Sequence, residues 1–316
     1  MNKIMEDSQK AIILELQDIM TENKDVFFVL ADVGLLFKFG FGVDAMPHPE
    51  RVIDVGVAEQ NMVGFASGLA YSGKTVFTST IAEMQTARVT EQIRLDACYP
   101  NLNINMLGLG RGLVFAQGGV THTSPEDIAM LRGIPDITII LSADTLEVRK
   151  IVRAAVKTPG AKYIGIPRGK VPRVYESDYD YQIGKAIILK EGKDITLIAT
   201  GDMVAKTLDA AVLLDKESGI KAKVINMHTV KPIDEEAIIK AAKETGAIVT
   251  IEDHNIIGGL GGAVAEVLGE KCPTLMKRIG VPDTFTIIGE SWDSILHTYK
   301  MDTIDIVAAS KDLLGR

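Results

Sequence analysis

Short runs of β-branched and apolar residues alternate along the chain with longer segments in which apolar residues recur at helical spacing. This alternation is typical of α/β proteins with parallel sheets. In the first half it predicts strands at residues 26–30, 51–55, 75–79, 102–108, 137–141 and 163–166. Between the strands, the spacing predicts helices near residues 58–72, 83–97, 125–132 and 144–157.

The pattern breaks at residues 167–182, PRGKVPRVYESDYDYQ, which contain two prolines, several charges and three tyrosines without a sustained apolar period. Such a stretch is typical of a linker between domains, and its tyrosines are predicted to be exposed. Strands and helices then alternate again as far as a helix that begins within GGLGG, residues 258–262. The sequence therefore predicts an α/β fold class with two domains of parallel or mixed sheets flanked by helices: a first domain at residues 1–172, a linker at 173–182 and a second domain at 183–316.

Charge and composition narrow the class of ligand. The chain has 34 basic and 42 acidic residues, a net charge of −8 and no cluster of Lys or Arg, so we expect small-molecule ligands and no nucleic acid. No apolar run approaches the roughly 18 residues of a membrane span, and no membrane partner is expected. The two cysteines fit neither a disulfide framework nor a zinc site, which together with the acidic N-terminal stretch favours a cytoplasmic protein.

The segment VGVAEQNMVGFASGLAYSGK, residues 55–74, carries an acid, Glu59, within an otherwise apolar stretch. An acid in the first turn of a helix is stabilised by the helix dipole, which is one explanation. The other is a carboxyl group in an apolar site, where its proton affinity rises and it can share a proton with a ring nitrogen of a ligand. Gly64 and Gly68 on the same helix indicate close approach by a neighbouring element or a second subunit.

Two more polar residues lie at places where parallel sheets bind ligands. His122, in GVTHTSPED, either donates a hydrogen bond to a substrate oxygen or has a structural role. Arg168, in IPRG, follows a strand and either binds a phosphate or carboxylate or forms an ion pair between domains. GGLGG lacks the spacing of a phosphate-binding loop, and residues 252–254, EDH, do not form a convincing metal site.

An ordered set of segments resembles the C-terminal half of a transketolase over nearly the whole chain: VGVAEQNMVGFASGLA, STIAEMQTARVTEQIR, GGVTHTSPEDIAMLRGIPDITIILSADTLEV, IPRG, MHTVKPID and EDHNIIGGLGG. The resemblance implies a pyrimidine domain that binds thiamine diphosphate, followed by a transketolase C-terminal domain. It also implies a transferase that moves a two-carbon ketol unit from a ketose, expected to carry a phosphate, to an aldose.

The resemblance assigns roles to particular residues. Glu59 is expected to hydrogen-bond N1′ of the aminopyrimidine ring and so to promote loss of the proton from thiazolium C2. His122 corresponds to a histidine that contacts substrate hydroxyls, and Arg168 to an arginine that binds the substrate phosphate. Asp32 is expected near the cofactor at a dimer interface. The segment that contacts the aminopyrimidine ring contains Phe77, Ile81 and Met84.

Several positions depart from the transketolase pattern. Ile81 and Met84 stand where the family stacks phenylalanine on the aminopyrimidine ring, so an aromatic contribution is lost. The family's substrate-binding histidine, aspartate and serine are replaced, in that order, by Gly110, Gly118 and Leu36. Arg111 is expected to compensate in part as a substrate-binding residue. These differences predict a sugar substrate other than the usual pentose phosphates.

The chain lacks the GDG segment and spaced asparagine with which the family binds Mg²⁺ and the cofactor's diphosphate. Its only Gly-Asp pair, Gly201-Asp202, continues into Met203. We therefore predict no metal ligands in this chain and a partner, an N-terminal transketolase subunit with the GDG site, that supplies the Mg²⁺ ligands. Paired active sites then predict self-association in an α₂β₂ assembly, active only with both subunits.

Three other functions are compatible with the sequence. The β subunit of a 2-oxoacid dehydrogenase E1 has the same two-domain organisation and an equivalent glutamate. A non-catalytic assembly subunit with the same fold would explain the departures at positions 36, 81, 110 and 118. A synthase that joins pyruvate to glyceraldehyde phosphate is a third possibility, although it is normally one chain with its own GDG domain. The segments AEQNM and MHTVKPID favour transketolase.

Overall fold

A computed structural model describes residues 4–33 and 46–315 of the chain. These residues form two compact units. The first contains the chain up to Arg111 together with Met130–Ile183, and the second contains Gly112–Ala129 and the residues from Gly184 onward. The segment Gly112–Ala129 thus packs with the second unit, although the sequence placed it within the first domain.

The first unit is built on a parallel sheet. The described strands of this unit are β1 Met5–Asp7, β2 Val26–Leu30, β3 Val52–Asp54, β4 Thr75–Ile81, β5 Ile104–Leu109, β6 Thr138–Leu141, β7 Lys162–Ile166 and β8 Lys170–Pro172. Six of them lie in the main sheet in the order β6-β7-β5-β4-β2-β3, and each neighbouring pair is parallel. Strands β1 and β8 form a separate antiparallel pair. Every residue of β5 and β7 is buried, as expected for strands covered on both faces.

Helices cover the sheet of the first unit. Ser8–Glu22 and Thr145–Lys157 pack against one another, and their apolar side chains share a core with β2, β4, β5 and β7. Each helix begins with an aspartate whose side chain accepts a backbone N–H: Asp7 from Lys10 at 3.0 Å and Asp144 from Glu147 at 2.9 Å. Glu59–Tyr71 packs against β4.

The predicted helix at residues 83–97 is not continuous. The structure has an α-helix at Ala82–Thr86, a 3₁₀ turn at Ala87–Val89, a short helix at Thr90–Gln92 and a π-helical segment at Ile93–Cys98. The hydroxyls of Thr86 and Thr90 donate to the carbonyls of Ala82 and Thr86, each at 2.8 Å. Such bonds compete with regular helical geometry, and 3₁₀ and π segments within helices often mark functional sites.

The stretch predicted as a linker is held on the first unit. Asp144 Oδ2 accepts the backbone N–H groups of Val174 and Tyr175 at 2.8 and 2.9 Å. Glu147 Oε1 accepts the hydroxyls of Tyr175 at 3.1 Å and Tyr179 at 3.3 Å, and the two tyrosine rings stack at 4.0 Å. Tyr175 is therefore buried, and the sequence-based expectation of an exposed side chain is wrong for it. Burial also raises the pKa of Tyr179.

The second unit contains a mixed sheet. The strands of this unit are β9 Ile187–Lys190, β10 Ile195–Ala199, β11 Ala222–Asn226, β12 Thr229–Lys231, β13 Ala247–Asn255 and β14 Leu275–Val281, and all but β12 form the sheet. Five of them follow the order β14-β13-β10-β11-β9, in which only β9 is antiparallel to its neighbour. The helices are Met203–Ser218, Glu235–Thr245, Leu260–Lys271, Trp292–Thr298 and Thr303–Leu313. The predicted fold class, α/β with parallel or mixed sheets in two domains, is confirmed.

Left-handed glycines end two of these helices. Gly219 follows Met203–Ser218 and Gly246 follows Glu235–Thr245, and each has the positive φ that glycine adopts without strain. Within the described part of the chain, none of the helices has both the length and the apolar character needed to cross a bilayer.

Candidate active site

Glu59 is the first residue of the helix Glu59–Tyr71, and only 5% of its surface is exposed. Arg88 Nη1 lies 3.0 Å from each of its two carboxylate oxygens. Gln60 Nε2 donates to the Arg88 carbonyl oxygen at 3.4 Å. Glu59 is thus buried, as the sequence indicated, but its neighbour is a guanidinium group and not an entirely apolar wall. Sequence reasoning missed Arg88, although it lies within the segment STIAEMQTARVTEQIR.

Strands β2 and β3 end beside each other, next to Asp32. Asp54 Oδ1 accepts the backbone N–H of Asp32 at 3.0 Å and that of Gly56 at 2.9 Å, which ties the two loops together. Asp32 has a positive φ of 54°, and its side chain is exposed at the carboxyl edge of the sheet. This edge is where parallel sheets bind ligands. Asp54 is a second residue that the sequence analysis did not select.

The three predicted ring contacts differ in position. Phe77 is fully buried in the core shared by Ser8–Glu22 and the sheet, so its ring is a core side chain and is not presented to a ligand at the surface of this chain. Ile81 ends β4 and Met84 lies in the following helix, and both are partly exposed. Ile81 and Met84 can therefore offer apolar contact at the carboxyl edge.

Two arginines follow neighbouring strands at the same edge. Arg111 comes after β5 and is 1% exposed, and Arg168 comes after β7 and is exposed. A Cβ atom at Gly165 would lie 2.6 Å from Arg111 Cδ, so this glycine leaves the space that the arginine occupies. Gly110 has a φ of 62° and donates its N–H to Ile166 O at 2.9 Å. A histidine, which the family carries here, would be strained in that conformation.

His122 belongs to the second unit. It follows the 3₁₀ segment Ala116–Thr121, is partly buried, and has its Nδ1 2.8 Å from Thr121 Oγ1. A Cβ atom at Gly118 would lie 2.6 Å from His122 Cβ. The aspartate that the family carries at this position would therefore displace the imidazole. The observed position of His122 therefore requires a residue without a side chain at position 118.

The acidic and histidine residues in the last part of β13 have structural partners within the second unit. Glu252 accepts the N–H groups of Leu260 at 2.6 Å and Gly261 at 2.8 Å, at the start of the helix Leu260–Lys271. Asp253 accepts from Leu113 N at 3.2 Å and Trp292 Nε1 at 2.8 Å, and His254 Nε2 accepts from Ala129 N at 3.2 Å. The bonds from Leu113 and Ala129 hold the two ends of the segment Gly112–Ala129, which carries His122.

Neither this cluster nor any other set of three His, Cys, Asp or Glu side chains in the described ranges is arranged to bind a metal ion. The first unit thus brings most of the predicted residues to one sheet edge, namely Asp32, Glu59, Ile81, Met84, Arg111 and Arg168. Phe77 lies in the core and His122 in the other unit. Leu36 lies outside the described residues.

Comparison with known proteins assigns both parts of the chain. The model of the transketolase pyrimidine binding domain matches residues 6–173, and that of the transketolase C-terminal domain matches residues 184–305. A 6-deoxy-6-sulfo-D-fructose transketolase subunit of Clostridium sp. (strain MSTE9) is 39% identical over 95% of this chain and 93% of its own length. An apulose-4-phosphate transketolase subunit of Phocaeicola vulgatus is 38% identical over 93% of each chain.

A solved split-gene transketolase, described as an inactive beta4 tetramer, has 38% sequence identity and superposes with a TM-score of 0.89 over 98% of both chains. The fold and the matched segments define a protein with the pyrimidine-binding and C-terminal domains that thiamine diphosphate enzymes of this class share. The chain belongs to the transketolase family, as a subunit of the split type that uses thiamine diphosphate. The resemblance to transketolase found in the sequence is confirmed.

Proposed function

We propose that this chain is the C-terminal subunit of a transketolase that is active only together with an N-terminal subunit. It transfers a two-carbon ketol unit from a ketose to an aldose. The observation that carries the proposal is the buried carboxylate of Glu59, in the first turn of a helix in the pyrimidine-binding unit. An acid in such a site is positioned to exchange a proton with a ring nitrogen.

The residues around the sheet edge fit the pyrimidine half of thiamine diphosphate. We assign Glu59 to the proton at N1′ and Ile81 and Met84 to apolar contact with the ring. Asp32 is assigned to the edge of the cofactor site at a subunit interface. No contact with the ring is proposed for Phe77. When bound, the cofactor supplies the carbon nucleophile that takes up and passes on the two-carbon unit.

Three side chains are assigned to the substrate. His122 Nδ1 faces Thr121, so we assign its Nε2 to a substrate hydroxyl. The exposed guanidinium of Arg168 is suited to a phosphate or a sulfonate, which accept several N–H bonds at once. Arg111 lies deeper at the same edge and is assigned to the interior of that anion site. Both relatives described above act on anionic sugars by their names, and we propose an anionic ketose as the donor.

The magnesium ion and the cofactor's diphosphate are assigned to the partner. The described residues offer no group of three metal-binding side chains, and hard cations such as Mg²⁺ need several oxygen ligands. The relative from Phocaeicola vulgatus is named as one subunit of its transketolase, which implies that another subunit exists. We therefore propose a separate N-terminal subunit with the GDG segment and the Mg²⁺ ligands.

We also propose self-association through the helix Glu59–Tyr71, in an α₂β₂ assembly. Its exposed face includes Gly64, Phe65, Gly68 and Tyr71, at helical spacing. A Cβ atom at Gly64 or Gly68 would meet no described atom of this chain within 4 Å, so packing within the chain does not explain either glycine. A β₄ tetramer of a relative supports contact between copies.

The proposal is tested with the chain alone and together with a GDG-containing N-terminal transketolase subunit. Thiamine diphosphate and Mg²⁺ are titrated into each sample, and two-carbon transfer is assayed beside oxidative decarboxylation of 2-oxoacids. We expect tight cofactor binding and two-carbon transfer only with both subunits. Tight binding of cofactor and metal by the chain alone would contradict the split arrangement, and decarboxylation without transfer would favour the 2-oxoacid dehydrogenase alternative.

A further inference from the structure

Arg88 and Glu59 form an ion pair in which one partner is buried and the other reaches solvent. The Glu59 side chain is 6% exposed and that of Arg88 is 50% exposed. A single guanidinium nitrogen, Nη1, lies 3.0 Å from both carboxylate oxygens. In such a shared arrangement, one oxygen can leave to accept a hydrogen bond from a ligand while the other keeps its bond to Arg88.

The main chain of Arg88 is also fixed relative to Glu59. Gln60 Nε2 donates to the Arg88 carbonyl at 3.4 Å, so neighbouring residues of one helix hold both the side chain and the backbone of Arg88. Arg88 lies in the 3₁₀ turn Ala87–Val89. This turn is flanked by Thr86 and Thr90, whose hydroxyls donate hydrogen bonds to backbone carbonyls. Arg88 is therefore held both at its backbone carbonyl and at its guanidinium group, and its position does not depend on a flexible loop.

Among the described residues, the other charged groups near the helix Glu59–Tyr71 lie outside ion-pair distance of Glu59. Strands β2, β4 and β5, which pack against this helix, carry no titratable side chain. The segment of residues 87–98 contributes Arg88, Glu91, Arg94, Asp96 and Cys98. Of these, Arg88 is the group that pairs with Glu59 among the residues the structure describes.

We infer that Arg88 is a positioning residue for Glu59: its guanidinium orients the buried carboxylate for hydrogen bonding to the cofactor's pyrimidine ring, and its positive charge acts on the proton that Glu59 and the ring share. This inference rests on the proposed function of Glu59. A positive charge beside a shared proton makes that proton easier to lose. Removing the charge should therefore make the pair of carboxyl group and ring nitrogen hold its proton up to a higher pH.

The ion pair itself is tested on the chain without cofactor. The melting temperatures of R88Q, E59Q and the double variant form a double-mutant cycle. We expect R88Q to melt about 5 °C below the unmodified chain, because it leaves a buried carboxylate without a counter-charge, and the double variant to regain most of that loss. Additive changes would show that the two side chains do not interact. This readout does not depend on any activity.

The positioning role is tested on the complex with the N-terminal subunit, by turnover and by the near-ultraviolet circular dichroism of bound thiamine diphosphate, each titrated against pH. In R88Q we expect the acidic limb of both profiles to move upward by about one pH unit. R88K keeps the charge and should keep the unmodified profile, with a lower kcat. Profiles of R88Q that superimpose on those of the unmodified complex would overturn the inference.

A matched control is available in the same unit. Arg149 Nε lies 2.7 Å from Glu15 Oε2, with side-chain exposures of 46% and 3%, and Arg153 pairs with the other oxygen of the same carboxylate. The double variant R149Q/R153Q leaves Glu15 without these counter-charges and should lower the melting temperature without moving either pH profile. Should R88Q fail to assemble, R88K carries the test, and an unchanged kcat would overturn the role. Full turnover of E59Q would instead contradict the proposed function, whatever R88Q shows.

Discussion

At the scale of single residues, glycines explain two departures from the transketolase pattern. Gly110 has a left-handed backbone that disfavours the family's histidine, and Gly118 leaves room for His122. The sequence identified both substitutions but not their causes, because the backbone angle at Gly110 and the contact between Gly118 and His122 cannot be predicted from the spacing of residue types. Arg88 was missed for a similar reason: it lies 29 positions from Glu59, and only the folded chain brings them together.

Gly118→Ala tests the link between this glycine and His122. The added Cβ atom would lie 2.6 Å from His122 Cβ, so the imidazole must move. Because small displacements of substrate-binding groups slow catalysis strongly, we expect kcat/KM for two-carbon transfer to fall about tenfold. Gly133→Ala is the matched control, since its added atom meets nothing described within 4 Å. Equal kcat/KM values for the two variants would show that Gly118 does not control the position of His122.

Lys162 gives the molecule a predictable response to alkaline pH. Its side chain is buried, with Nζ 2.7 Å from Gly160 O and 3.2 Å from Asn103 Oδ1, and burial lowers the pKa of its amino group to about 7. Between pH 7 and the ordinary pKa of an unfolded lysine, the unfolded chain binds the extra proton, so Lys162 makes the folded state more stable as pH rises.

We therefore expect Lys162→Met to be more stable than the unmodified chain near pH 7, with a difference that shrinks as pH rises toward 10. The slope can reach about 1.4 kcal/mol per pH unit. Urea unfolding of both chains at several pH values measures it. A difference in the free energy of unfolding that stays constant with pH would mean that the amino group remains charged in the folded chain.

At the scale of elements, most strands and helices up to the helix Leu260–Lys271 were predictable from apolar periodicity. Strand β2, for example, has the predicted bounds of residues 26–30. The irregular run from Ala82 to Cys98 was not predictable, because threonine hydroxyls that bond to backbone carbonyls decide its helix type locally. The burial of Tyr175 was not predictable, because buried Asp144 and Glu147 hold its backbone and its hydroxyl, and these contacts span about 30 residues.

The exposed face of Glu59–Tyr71 leads to a prediction about assembly. Gly68→Leu adds a side chain in open space and replaces glycine by a better helix former, so the isolated chain should fold at least as stably as before. We expect its association with other subunits to weaken at least tenfold in sedimentation velocity experiments. Gly269→Leu, at a similarly open glycine in Leu260–Lys271, is the control and should assemble normally. Normal assembly of Gly68→Leu would rule out this face as an interface.

At the scale of the complete chain, the sequence predicted two α/β domains in chain order, whereas the compact units interleave. Gly112–Ala129 packs with the second unit because Leu113, Thr123 and Ala129 bond to residues of that unit. Single-sequence patterns cannot predict such a crossing, since each segment keeps its own periodicity wherever it packs. Membership of the transketolase family, by contrast, was predicted correctly, because its sequence motifs occur in order along nearly the whole chain.

Glu59 is proposed to handle the proton of a cofactor whose diphosphate another chain binds. The most decisive experiment is two-carbon transfer by E59Q in the complex with the GDG-containing subunit, with sedimentation as the check on assembly. Glutamine keeps the shape of the side chain but cannot exchange the proton, so turnover should fall at least a thousandfold while assembly is unchanged. Turnover within a factor of two of the unmodified complex would contradict this role for Glu59.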